Sequence, residues 1–89
     1  MPRVIATHAV GNMDKWLSEG AERAEIFKQF SRGYRIYRHP KESKVALVWE
    51  NADVQKLAAT LAHQDTEKAK SRHTVLEPVD IYVEVEGRR

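Results

Sequence analysis

His8 has the clearest capacity for chemistry in this sequence. It stands in Val4-Ile5-Ala6-Thr7-His8-Ala9-Val10, among small apolar neighbours. An imidazole titrates near neutral pH, so one held on the wall of a cleft can act as general acid or base. The alternative is a buried ring whose nitrogens are satisfied by a hydroxyl, the backbone or water. A partner carboxylate or phenol would favour catalysis, and Asp14, Tyr34, Tyr37 and Tyr82 are the candidates. Trp16 and Trp49 form the second feature. Two indoles can wall a slot for a planar ligand, with Tyr34 as a third contact. On apolar stripes the same rings also serve as core.

Other chemistries lack their residues. The chain has no cysteine, which removes thiol nucleophiles, disulfides and cysteine-based zinc sites. His39, His63 and His73 show none of the tight spacings that metal sites favour, such as i, i+4, and read as solvated loop histidines. No glycine-rich phosphate loop and no serine in a nucleophile elbow are present. The expectation is no metal and no cofactor. A net charge of +2 with 31% charged residues of both signs gives no block able to neutralise many phosphates. The run Glu67-Lys68-Ala69-Lys70-Ser71-Arg72 reads as a solvated helix face. The longest apolar stretch, Val45 to Trp49, is too short to span a membrane, and the N-terminus carries no signal pattern. These features predict a cytoplasmic domain with no membrane partner.

The elements that must position these residues follow from periodicity. Val4–Val10 is rich in strand formers. Asn12 can cap a helix over Met13–Phe30, which Gly20 can bend or break. Gly33 is suited to a left-handed stop. Tyr34–His39 and Lys44–Glu50 read as a hairpin around the turn at Pro40. Asn51 or Asp53 can cap a helix carrying Val54, Leu57, Ala58, Leu61 and Ala62 on one stripe. His63-Gln64-Asp65 interrupts it. A short helical piece follows over Thr66–Arg72, with Asp65 as cap, and a last strand runs from Val75 to Glu86. Gly87-Arg88-Arg89 is a tail.

The order β-α-β-β-α-β predicts a ferredoxin-like α+β fold in one domain, residues 1–89. Its four-stranded antiparallel sheet carries helices on one face, with the first and third strands central. RNA-recognition modules share this order, and Arg32-Gly33-Tyr34 resembles the start of their aromatic strand. Here that segment opens an edge strand, and the first strand has no aromatic residue. Tyr34 and Tyr37 also point to opposite faces. The base-stacking platform is missing, so no nucleic acid is expected.

Both sides of the central strands are apolar. Val45, Leu47 and Trp49 oppose Ala46 and Val48; Val4, Ala6 and Val10 oppose Ile5 and Ala9. Helices cover one face only, and each large side chain left in water forfeits about 1.5–3 kcal/mol. A second copy of the same sheet is the expected cover, giving a homodimeric α/β barrel with a cleft in each half.

Val10-Gly11-Asn12-Met13-Asp14-Lys15-Trp16 resembles the Asp-x-Trp start of helix one in small dimeric α/β-barrel proteins. Tyr34 to Arg38, Lys44 to Glu50, Asn51-Ala52-Asp53 and the closing Tyr82-Val83-Glu84-Val85 are similar to later elements of the same superfamily. It includes antibiotic-biosynthesis monooxygenase-like, polyketide-cyclase-like and muconolactone-isomerase-like proteins, haem-degrading relatives, and many members without a known activity. The resemblance implies fold and dimerisation, and an enzyme or binder of a small hydrophobic or aromatic metabolite. A cofactor-free isomerase, cyclase or monooxygenase would suit, with His8 moving the proton and Trp16 and Trp49 shaping the pocket. The alternative is a non-catalytic dimerisation domain with a filled interface. An open cleft of roughly 300 Å³ or more with His8 on its wall would favour the first.

Overall fold

The computed structural model describes residues 1–85. Strands β1 (Val4–Val10), β2 (Gly33–Arg38), β3 (Lys44–Glu50) and β4 (Val75–Val83) form one sheet in the order β2-β3-β1-β4. All neighbouring pairs are antiparallel. This is the expected ferredoxin-like arrangement, with β1 and β3 central. The last strand stops at Val83 rather than continuing to Glu86. Glu86 and the tail expected after it lie outside the described residues.

The helical segments are each broken in two. The first divides into α1 (Met13–Ser18) and α2 (Gly20–Phe27), with the break at Glu19 beside Gly20. The Asn12 side chain accepts from the Lys15 amide at 3.0 Å, as its N-cap position requires. The second divides into α3 (Val54–Ala62), capped by Asp53, and α4 (Gln64–Arg72). Two sequence expectations are corrected here. The cap of α4 is His63, whose Nδ1 accepts from the Asp65 amide at 3.0 Å, and not Asp65. Gly33 opens β2 without left-handed backbone; Asn51 and Thr74 are the non-glycine residues at positive φ.

The helices lie against the sheet face that carries Val4, Ala6, His8 and Val10 of β1 and Val45, Leu47 and Trp49 of β3, all of them buried. Phe27 and Phe30 meet Trp49 edge-on, with ring centres 5.1 and 5.0 Å apart. Such pairs add about 0.5–1.5 kcal/mol each to the area they bury. Ala52, Leu57 and Trp16 complete the core. Among the described residues, nothing covers the opposite face. It presents Ile5 of β1, Val48 of β3, Tyr37 of β2 and Tyr82 of β4, and both tyrosines are more than half exposed.

Pairing is irregular at one place. Thr7 faces Asp80 and Ala9 faces Leu76, so one β1 residue, His8, stands opposite three of β4, Glu77 to Val79. The strand that bulges is an edge strand, where the missing amide of Pro78 breaks no inner ladder. Bulges of this kind open space beside a side chain and are frequent near functional sites.

Candidate functional site

A cavity of about 230 Å³ lies between the sheet and the helices. Ala6, His8, Leu47, Trp49, Val79 and Ile81 line it from the sheet. Trp16, Arg23, Ile26 and Phe27 line it from α1 and α2, and Leu61, Thr66, Ala69, Lys70 and His73 from the second helical layer. His8 is on its wall, as expected for a ligand cleft, but the volume falls short of the roughly 300 Å³ expected for one, so size alone does not favour binding over a filled interior. A dry apolar cavity of about 150 Å³ accepts benzene, so a space of this size has room for one or two rings.

His8 is 7% exposed. Its Nδ1 lies 2.8 Å from the carbonyl oxygen of Ala9, and a carbonyl can only accept. Nδ1 therefore carries the hydrogen and Nε2 keeps its lone pair. Nε2 has no hydrogen-bond partner among the described residues. Burial is the main cause that pushes the His8 pKa below the ordinary 6.5; the Ala9 carbonyl opposes it, while the nearby cations Arg23 and Lys70 add smaller downward pushes and Glu77 a small upward one. A neutral imidazole with one free nitrogen is a base ready to accept a proton. Its orienting partner is the backbone, not Asp14, Tyr34, Tyr37 or Tyr82.

Trp16 and Trp49 both border the cavity. Trp16 meets His8 edge-on, with ring centres 6.1 Å apart. Trp49 pairs with Val4, while His8 pairs with Val45, so the two stand at opposite ends of β1 and bound the cavity without touching. Tyr34 belongs elsewhere. Its ring packs on Phe27 at 5.0 Å, within the aromatic cluster and outside the cavity wall.

Three cavity residues escaped the sequence reading. Arg23 sits 3.7 Å above the Trp16 ring and donates from Nη2 to the Trp16 carbonyl. Lys70, read as part of a solvated run, reaches Glu77 at 2.7 Å across the cavity edge. His73 is the largest correction: it is buried, not a solvated loop residue. Its amide closes α4 on the Ala69 carbonyl, and the left-handed turn at Thr74 follows. The ring meets Glu22 of α2, Nε2 to Oε1, at 2.7 Å.

Glu19, Glu22 and His73 bring one ligand-type atom each within 4.8 Å of one another. Both carboxylates already have cations, Lys15 on Glu19 and Arg72 on Glu22. His73 and Arg72 hold the Glu22 carboxyl below its usual range by hydrogen bonding. The cluster is thus a satisfied ion-pair network tying the end of α4 to α2.

No protein-family profile matches the chain. No characterised protein matches it in sequence. Solved structures do resemble it. A candidate antibiotic biosynthesis monooxygenase from Bordetella bronchiseptica superposes with a TM-score of 0.74 at 16% identity, over 98% of this chain and 97% of that one. A protein from Agrobacterium tumefaciens gives 0.67 at 16% identity, over 99% and 95%. SnoaB, a cofactor-independent oxygenase from Streptomyces nogalater, gives 0.62 at 13% identity, over 99% and 93%. No helix among the described residues is long and apolar enough to cross a membrane. Along nearly its whole length, the chain has the ferredoxin-like α+β fold of antibiotic biosynthesis monooxygenase-like structures.

Proposed function

We propose that this protein is a cytoplasmic homodimer that binds a small aromatic or enolisable metabolite between sheet and helices and moves a proton on it. The observation that carries this reading is His8: neutral, oriented by the Ala9 carbonyl, and bordering a mostly apolar cavity with Nε2 free. A ligand carbon beside a carbonyl, or the hydroxyl of a phenol, would give its proton to Nε2. The imidazolium would then return that proton to another atom, which is an isomerisation. If the carbanion instead attacks within the ligand, the result is a cyclisation. If it reduces dioxygen and bonds to it, the imidazolium proton completes a hydroperoxide, which loses water to leave a new carbonyl, and the result is an oxygenation. SnoaB, described as a cofactor-independent oxygenase, shares the fold and supports the last version. Trp16 and Trp49 would fix the ring plane.

The second copy follows from the uncovered face. Ile5, Tyr37, Leu76 and Tyr82 are each more than a third exposed around Val48 and Ala46 at the centre. Arg35 and Asp80 share this face from the two edge strands. Two such faces stack at about 10 Å and bury their apolar centres together. Sedimentation at micromolar concentration is expected to give twice the chain mass. Val48→Asp places a charge at the centre of the contact and should leave a folded monomer. A monomeric wild-type protein would remove the dimer.

Proton transfer is tested with 2-tetralone, an aromatic ketone with an acidic C–H between ring and carbonyl. In deuterium oxide the protein should catalyse loss of the C1 proton signal by NMR. Exchange no faster than in buffer would contradict the reading.

A further inference from the structure

Arg23 is a buried cation with no carboxylate in ion-pair reach among the described residues; Glu19, one helical turn earlier, acts on it only through space. Arg23 is 4% exposed and makes no ion pair with any carboxylate among the described residues. One nitrogen, Nη2, donates to the Trp16 carbonyl near the end of α1. The guanidinium otherwise rests on the Trp16 ring, and its remaining nitrogens have no protein acceptor among the described residues. A carbonyl and an aromatic face return only part of what it costs to strip a cation of water. Buried charges are normally paired, because an uncompensated one is strongly unfavourable.

The rest of the wall does not supply the missing charge. Glu77 is the carboxylate bordering the cavity, and Lys70 already engages it at 2.7 Å. Those two cancel, which leaves the cavity with the positive charge of Arg23. A second donor is also idle. Trp49 borders the same cavity, and its indole Nε1 is buried with no acceptor. Native structures rarely leave a buried donor unmet, so the Trp49 N–H, beside a guanidinium that has no carboxylate in hydrogen-bond reach, points to an acceptor brought by a ligand.

Resting on the ligand-pocket reading above, we propose that the ligand is an anion: an aromatic carboxylate whose carboxylate group Arg23 clasps while its ring lies along Trp16 toward His8. A guanidinium fork matches a carboxylate with two parallel hydrogen bonds. Ile26, Phe27 and Leu47 give the apolar wall that a ring requires. The proton acted on would then lie on an activated group of the ring system nearest His8, a C–H beside a ring carbonyl or a phenol O–H, and the carboxylate would serve as the handle.

The experiment is calorimetric titration of the full chain at pH 7.5 with sodium 2-naphthoate and with 2-naphthamide, its neutral counterpart of nearly the same shape. The wild-type protein should bind the carboxylate at least about tenfold more tightly, the least that charge-assisted hydrogen bonds contribute. Arg23→Met should abolish that preference and leave affinity for the amide within about threefold, since the pocket walls stay in place. Arg23→Lys should restore part of it, as a point charge without the fork. If the wild-type protein binds amide and carboxylate alike, the anion inference fails while the pocket stands. If Arg23→Met keeps the preference, another group holds the anion and the assignment fails. If neither compound binds, the pocket reading falls and takes this one with it. Should Arg23→Met not fold, the wild-type ratio and Arg23→Lys decide.

Discussion

Replacing His8 with asparagine should lower exchange into 2-tetralone by about 10²–10⁴-fold, the range a positioned general base contributes. The asparagine amide nitrogen sits where Nδ1 sits and can still donate to the Ala9 carbonyl, so the local backbone contact survives while the basic nitrogen is lost. Folding should be spared: the variant should keep its circular dichroism and lose no more than about 1 kcal/mol, the size of one hydrogen bond. Unfolding of the variant would make His8 a structural residue. The pH profile of the wild-type protein adds an independent check. The neutral imidazole is the active form, and burial holds its pKa below 6.5. The rate should therefore be flat at neutral pH and fall only on acidification below that value. A rate still rising between pH 7 and 8 would assign the proton transfer to another group.

The largest loss of stability should come from Trp49→Ala, at about 3–5 kcal/mol. Trp49 is 1% exposed and meets both Phe27 and Phe30 edge-on. It also pairs across the sheet with Val4 and Tyr34. Truncation leaves a void between two layers that neither strand can close. For a domain of this size such a loss is a large share of a total near 5–15 kcal/mol. Trp49→Phe should cost less, because it keeps a ring on Phe27 and Phe30 and removes an indole N–H that has no acceptor. Urea unfolding of both variants measures this, and a loss under 1 kcal/mol for the alanine would move Trp49 out of the core.

The sheet order was legible because strand and helix periods differ, and the stops at Gly11-Asn12, Pro40 and Asp53 fall between them. The apolar second face was legible for the same reason: Ile5, Ala46 and Val48 occupy positions where a solvated sheet would carry polar side chains. His8, Trp16 and Trp49 stood out by residue type. Their facing did not. The side of β1 that carries His8 faces the helices of its own chain, so the cavity is intramolecular and does not lie between two sheets. Tyr34 was read as a ligand contact because an aromatic at a strand start has no marked direction in sequence. Its pairing with Trp49 turns it into the core instead.

Arg23 left a signal that could have been used. It lies four residues before Phe27 and seven before Phe30, on their apolar stripe, where a charged residue is out of place. Lys70 and His73 left none. Their burial depends on how α4 docks against β4, a long-range packing that local spacing does not encode. The bulge opposite His8 was equally hidden, since it is a mismatch of register between two strands distant in sequence. Pro78 hinted only that its strand lies at an edge.

The most direct test of the account is the nitrogen-15 NMR titration of the His8 imidazole, with and without sodium 2-naphthoate. A hydrogen fixed on Nδ1, a free Nε2, protonation only below pH 6.5, and movement of both nitrogen signals when the ring enters the cavity are the expected results. A His8 already charged at neutral pH, or one whose signals ignore every ligand offered, would contradict them.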